Sequence, residues 1–248
     1  MHLEGTCLRL ADAIFSSSRC SAEWCARHYG IRGAEIPVLH TGVDTELFRP
    51  SETPKAARPT ILFVGKLELN KGVRQLVEAA IELAAEFPDL HLRLLGRGSD
   101  RMNQELQALV KARGVPGLLE LAGFVPREEL PAQLGGAHVF AAPSVYEGGP
   151  GFVYLEAMAC GMPVIACAGS GAAEVIRDGE TGFLVPPHDL EELVRALRLL
   201  LSDSSRRETM GMNARRYVLA EADATVCLKK LEAFYLAVAG KNAARPEA

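Results

Sequence analysis

From Thr60 to Val185, short apolar and β-branched runs alternate with longer stretches in which apolar residues recur every three or four positions. This alternation constrains the fold more than any other feature. Strands separated by helix-length segments cannot pair as hairpins, so crossovers must join them into a mostly parallel sheet with helices on both faces. Six strands are predicted: Ile61 to Val64, His91 to Leu95, Leu119 to Leu121, His138 to Ala142, Val164 to Cys167 and Gly182 to Val185. Val73, Leu76, Val77, Ala80 and Ala84 share one face of the helix after the first strand, and Leu190, Leu193, Val194, Leu197 and Leu201 repeat that spacing later. Asp189, just ahead of the second stripe, is placed to accept hydrogen bonds from orphan amides at a helix start.

The two ends of the chain read differently. The first fifty residues suggest a strand at Ala13 to Ser16, a helix reaching about Tyr29, a short strand around Val38 and a turn at Thr41-Gly42-Val43-Asp44. Pro50-Ser51-Glu52-Thr53-Pro54, followed by Arg58-Pro59, has linker composition and sets a boundary after residue 50. No strand pattern follows Ser204, so residues 205–248 read as a helical appendix whose apolar stripe would be Leu228, Leu231, Phe234 and Tyr235. The uncharged stretch from Ala157 to Ala173 nears membrane-span length, but Gly161, Pro163, Gly169 and Gly171 interrupt it. It reads better as a buried helix, turn and strand.

Charge and cysteine usage narrow the function classes. With 27 basic and 31 acidic residues and no long block of one sign, the chain lacks a counterion-releasing surface, so nucleic acid is not an expected partner. Cys7, Cys20, Cys25, Cys160, Cys167 and Cys227 form no Cys-x-x-Cys pair and no secretory leader accompanies them, which favours a reducing cytoplasm over a disulfide or zinc framework. Cys25 and His28 lie one turn apart, but two ligands without a second pair are weak support for a metal, and none is expected.

Three segments carry chemistry. Gly65-Lys66-Leu67-Glu68-Leu69-Asn70-Lys71-Gly72 follows a predicted strand and precedes a helix, which places Lys66 and Lys71 at the crevice where open α/β sheets bind ligands, with phosphate as the natural partner. It does not match a P-loop. Taken alone, this segment is read equally well as two solvated loop lysines. Gly96-Arg97-Gly98 begins like a dinucleotide fingerprint but has Arg101 at the third glycine position, and a tight turn explains it. Glu147-Gly148-Gly149-Pro150-Gly151-Phe152-Val153-Tyr154-Leu155-Glu156 joins a glycine loop to a helix starting near Gly151, whose free amides and positive dipole end suit an anion. Carboxylates repel phosphate but accept hydrogen bonds from sugar hydroxyls, so a ligand carrying both phosphate and sugar would satisfy the whole set.

In collinear order over roughly residues 11 to 220, these segments resemble the carboxy-terminal half of glycosyltransferase family 4. The resemblance runs through Thr41-Gly42-Val43-Asp44, Phe63-Val64-Gly65-Lys66, Lys71-Gly72, Gly96-Arg97-Gly98, Gly123-Phe124-Val125, Pro143-Ser144 and Tyr146-Glu147-Gly148. It continues through the run from Glu156 to Ile165 and Gly179-Glu180-Thr181-Gly182. It implies a GT-B enzyme with retaining chemistry, in which this chain supplies a Rossmann-like donor domain at residues 51–204. Residues 1–50 would be a remnant of the acceptor domain and linker.

By the same resemblance, Lys66 and Lys71 would bind the donor diphosphate, with Gly65 and Gly148 alongside. Val125 would touch the base through its backbone, and Glu147 would hold the sugar. Glu156 would take the ribose hydroxyls, and the amides around Gly151, Phe152 and Val153 would meet the phosphates. Lys66, Lys71 and Glu147 would act in the transfer itself. The donor would be UDP- or GDP-linked, with no further cofactor. The chain lacks an Asp-x-Asp triplet for a metal clamp.

The family usually has arginine where Lys66 stands, and seven residues between its glutamates where Glu147 and Glu156 enclose eight. Both departures bear on Lys66 and Glu147 more than on Lys71 and Glu156. The acceptor stays open, and the partners implied are a separate amino-terminal half or a second copy, in the cytoplasm or at the inner face of a membrane. A non-catalytic nucleotide-sugar-binding module and a sugar-nucleotide epimerase with NAD at Gly96-Arg97-Gly98 are the alternatives.

Overall fold

The computed structural model describes residues 2–31, 36–51 and 54–243, with side chains from Glu4 to Gly240. Six parallel strands, β1 (Thr60–Val64), β2 (His91–Leu95), β3 (Leu119–Gly123), β4 (Val139–Ala142), β5 (Val164–Cys167) and β6 (Gly182–Val185), form one sheet in the order β3-β2-β1-β4-β5-β6. β2, β5 and β6 have the bounds that patterning gives, and the others differ by one or two residues at an end. The order reverses between β1 and β4, so the crevice for a ligand lies beyond their carboxyl ends.

Nine α-helices are described: α1 (His2–Leu10), α2 (Arg19–Tyr29), α3 (Val73–Leu83), α4 (Asp100–Ala112), α5 (Leu130–Gly136), α6 (Phe152–Ala159), α7 (Leu190–Ser202), α8 (Ser204–Tyr217) and α9 (Ala224–Ala243). The apolar stripes behave as their spacing requires. α3 buries Val73, Leu76, Val77 and Ala80, and α7 buries Leu193, Val194 and Leu197. Asp189 caps α7, its side chain accepting from the Glu192 amide at 3.0 Å. The run from Tyr154 to Ala159 in α6 is buried throughout, as is β5, so the uncharged stretch is interior helix and strand. Tyr154 fixes α6 beneath the sheet: its hydroxyl donates to the Ala142 carbonyl, and its ring meets Phe140 edge-on at 5.6 Å.

The amino-terminal segment differs from its sequence reading. Where strands are expected at Ala13 to Ser16 and around Val38, there is only a single parallel bridge between Ser16 and Val38. Two short runs with no third strand beside them have too little ladder and packed face to form a sheet. The helix α1 is not anticipated by the patterning at all.

Residues 43–48 and the carboxy-terminal helices pack together. Val43 and Phe48 are fully buried, Val43 bridges Asp223, and Thr45 Oγ1 donates to Asp223 Oδ2 at 2.7 Å. Arg215 of α8 donates to the Phe48 carbonyl at 2.8 Å and to the Ala159 carbonyl, the last of α6, at 2.9 Å. A π-helical turn at Val218–Ala222 separates α8 from α9. The expected stripe of α9 is only partly covered: Leu231 and Phe234 are half-buried, whereas Leu228 and Tyr235 are exposed. Phe234 and Tyr235 meet Phe15 edge-on, with ring centroids 5.6 and 6.4 Å away.

Candidate functional site

The loops after β1, β2, β3 and β4 meet at the switch point, and glycines allow the approach. Gly96 after β2 has φ 143°, and a Cβ there would sit 1.8 Å from the Gly65 carbonyl oxygen after β1. Leu67 then donates to the Arg97 carbonyl at 2.9 Å, so Gly96-Arg97-Gly98 packs one turn against the other. Gly72, in the left-handed region with φ 72°, ends the turn that carries Lys71. A Cβ there would lie 2.3 Å from the Pro143 carbonyl, so β4's exit holds the lysine turn in place. Ser144 Oγ and the Val145 amide reinforce that contact by donating to the Asn70 carbonyl at 3.2 and 3.1 Å.

Within this frame Lys71 and Glu147 are together. Lys71 Nζ lies 2.8 Å from Glu147 Oε1, both side chains being partly buried. Lys66 stands apart on the rim, exposed, its side chain without a hydrogen bond or ion pair among the described residues. The loop after Glu147 is tightly held. The Glu147 carbonyl accepts from the Gly171 amide at 2.9 Å, and the Gly148 carbonyl accepts from Ser18 Oγ at 2.6 Å and also from Ser21 Oγ. Ser18 caps α2, whose next amides, Arg19 and Cys20, donate to Glu174 at 2.8 and 3.0 Å. The start of α2 thus rests directly on the glycine loop.

Gly151, at φ 69°, begins α6, and no side chain caps that helix start. A Cβ at Gly151 would meet the Tyr154 ring at 2.6 Å, so glycine is needed for backbone and packing alike. The first amides of α6, from Phe152 and Val153, are suited to an anion by orientation and dipole. Phe152 itself is exposed and borders a cavity of about 280 Å³ lined also by Phe15, Leu39, Leu228 and Leu231.

Glu156, one turn into α6, is buried with 9% of its side chain exposed, and Arg127 Nη2 lies 3.1 Å from its Oε1. Burial pushes its carboxyl pKa up, while the charge and hydrogen bond of Arg127 pull it down; the burial effect is the larger. Val125 lies two residues before Arg127 at the end of β3, half-buried against the core. Arg97 covers the exposed Phe124 ring of the same loop at 5.1 Å.

The structure pairs Glu147 with Lys71 and gives Glu156 a different cation, Arg127. Sequence reasoning missed Arg127, Ser18, Ser21 and Glu174. For Arg127 a signal existed, because a carboxylate inside the apolar run Phe152 to Ala159 requires a cation from elsewhere in the fold. The serines and Glu174 gave no periodic or motif signal. Among the described residues, no three His, Cys, Asp or Glu side chains gather to hold a metal, and no helix is long and apolar enough to cross a membrane.

An open parallel sheet in this strand order, with lysines, glycines and an uncapped helix start at its switch point, is a Rossmann-like domain, and the solved structures it matches make it the carboxy-terminal half of the GT-B architecture. Within that class the chain belongs to the group 1 glycosyl transferases, whose family model matches residues 44–217. It is 34% identical over 224 residues to a GDP-mannose-dependent alpha-(1-6)-phosphatidylinositol monomannoside mannosyltransferase of Mycolicibacterium smegmatis, covering 84% of this chain and 58% of the relative.

Among solved structures it is similar to the sucrose-phosphate synthase of Thermosynechococcus elongatus, with 28% identity and a TM-score of 0.85 over 96% of this chain and 61% of that one. The Anabaena protein HepE in complex with UDP and glucose shares the fold, at 22% identity and a TM-score of 0.84 over 92% of this chain and 64% of that one. The chain spans about half the length of the curated relatives it matches.

Proposed function

We propose that the chain supplies the donor-binding half of a retaining glycosyltransferase, which moves a sugar from a UDP- or GDP-linked donor to an acceptor hydroxyl. The observation that carries the reading is the uncapped start of α6 behind a glycine loop, beside the Lys71 and Glu147 pair at the switch point. The diphosphate would take the α6 amides, Lys66 and Lys71. Glu147, now paired with Lys71 Nζ, would exchange that partner for sugar hydroxyls when phosphate claims the lysine. Glu156 would accept from the ribose, and the Val125 backbone would meet the base.

As the glycosidic bond breaks, negative charge builds on the departing diphosphate, and preorganised donors there act most strongly at the transition state. Losing one such donor costs on the order of 3 kcal/mol, roughly a hundredfold in rate. No cofactor beyond the donor enters this scheme.

The domain division is part of the same proposal: residues 51–204 bind donor, residues 1–50 belong to the acceptor side and its linker, and residues 205–248 form the appendix. Relatives of which this chain spans only 58% and 51% support assigning acceptor recognition to a further part, in the cytoplasm or at a membrane's inner face. The test is calorimetry with UDP, GDP and their sugars, run beside a transfer assay. Nucleotide-sugar binding without transfer by this chain alone is expected. A folded sample that binds none of these ligands would sink the donor assignment. A non-catalytic binding module makes the same binding prediction but expects no transfer once an amino-terminal half is supplied.

A further inference from the structure

Glu156 presents a physical problem that its neighbours solve. An ionised carboxylate with less than a tenth of its side chain exposed is costly unless a cation meets it. The only charged side chain in contact with it among the described residues is Arg127, at 3.1 Å. The other titratable groups nearby are occupied or neutral. Cys160, at the end of α6, is held as a neutral thiol by burial, its pKa pushed up to about 12. Arg215 of α8 spends its guanidinium on the carbonyls of Phe48, Ala159 and Thr45. Arg127 is itself oriented: its guanidinium lies 5.1 Å from the centroid of the Phe48 ring, and Phe48 is fully buried. It comes from the short turn Arg127–Glu129 immediately after Val125 and Pro126.

Resting on the donor-site reading above, we propose that Arg127 is a positioning residue. It keeps the Glu156 carboxylate ionised and aimed, so that it accepts hydrogen bonds from both ribose hydroxyls of a nucleoside diphosphate. One loop, residues 123–127, then serves the base through Val125 and the ribose through Arg127. The mechanism is electrostatic. A protonated Glu156 has lost part of its acceptor capacity, and Arg127 moves that loss to lower pH.

The test compares the unmodified chain with Arg127→Ala, Arg127→Lys and, as an assignment control, Glu156→Gln. In the absence of ligand, carbon-detected NMR follows the Glu156 carboxyl through a pH titration. Calorimetry then measures UDP and GDP affinity from pH 5.5 to 8.5. In Arg127→Ala the carboxyl is expected to titrate at higher pH. Its nucleotide affinity should fall about tenfold for each pH unit below that new value and recover on the alkaline side. Arg127→Lys, which keeps the charge, should restore most of the flat profile.

The proposal is overturned if the Glu156 titration does not move in Arg127→Ala. It is equally overturned if affinity drops by the same factor at every pH, the mark of a direct contact between Arg127 and nucleotide. If the unmodified chain binds neither nucleotide, the donor reading fails and the proposed ribose role with it. The ligand-free titration then still shows whether Arg127 sets the Glu156 charge.

Discussion

The two ends of the sheet use their polar side chains differently. At the amino ends of the strands, Lys55, Arg58 and His138 are committed to backbone, while His91 and Arg93 share the carboxylate of Glu120. Lys55 Nζ donates to the Ala137 carbonyl at 2.6 Å, Arg58 to the carbonyls of Asp89 and Leu90 at 3.0 and 3.3 Å, and His138 Nδ1 accepts from the Thr60 amide at 3.1 Å. At the carboxyl ends, Lys71 and Arg127 are paired with side-chain carboxylates, the Lys66 side chain has no partner among the described residues, and no side chain caps the α6 start. A side chain bound to backbone closes a fold. One held by another side chain can trade its partner for a ligand without unmaking secondary structure. What sets the carboxyl end apart is the switch point and the uncapped start of α6, and that is where function is to be sought.

The largest expected effect tests the amino end. His138 is held neutral by burial, with Arg207 and Lys55 adding repulsion, and its pKa is lowered from 6.5 to about 4. As pH falls below about 6.5 the unfolded chain takes up the proton first. The contribution is thus complete above that value and is lost toward pH 4, amounting to about 3 kcal/mol in all. Glu156 works in the opposite sense: its raised folded-state pKa makes its contribution grow as pH falls toward the ordinary carboxylate value of 4.5. Urea melts from pH 7 to 4.5 should show acid destabilisation in the unmodified chain and a flatter profile in His138→Gln. An unchanged slope in that variant would break the comparison.

Next in size is Glu156→Ala. It should weaken UDP or GDP binding roughly hundredfold, because two hydrogen bonds to a charged acceptor are lost. Melting temperature should hold, since the desolvation cost of the buried carboxylate is removed while Arg127, with 53% of its side chain exposed, can return to solvent. Calorimetry and thermal melts on one sample separate the two outcomes.

Lys71→Ala should leave the nucleoside nearly unaffected and lower nucleoside diphosphate affinity about tenfold, the low end of the range of about 1.5–3 kcal/mol for a charge-assisted bond, because Lys71 gives up Glu147 to make it. Equal losses for both ligands would place the lysine away from phosphate. The smallest effect separates recognition of phosphate from recognition of sugar. Glu147→Gln frees Lys71, so diphosphate affinity should rise a few-fold while nucleotide-sugar affinity falls by a similar factor. Isotherms for the two ligand types that shift in the same direction would argue against exchange of partners.

Much of this was legible in the sequence because it depends on local pattern. The β2, β5 and β6 bounds follow from apolar runs between breakers, and α3 and α7 follow from their three-and-four spacing. The glycine loop and the lysine turn could be read as well, since turn chemistry is local. The pairing of Lys71 with Glu147 joins residues 76 positions apart, and the seat of α2 on Gly148 joins residues about 130 apart. Only the folded sheet brings such partners together. The expected strand at Ala13 to Ser16 shows the opposite failure: its local pattern suited a strand, but the fold provides no neighbour to extend the ladder beyond one bridge.

Arg215 has an effect at a distance from its own contacts. By donating to the Ala159 carbonyl it places a positive charge on the negative pole of α6, a helix of eight residues and so roughly 12 Å long. In so short a helix the two poles would largely cancel for a ligand at the far end. With the rear pole neutralised, α6 acts toward an approaching anion as a single positive source. The attraction that an anion would meet at Gly151 is then set in part by a guanidinium at the opposite end of the helix, which the anion need never touch.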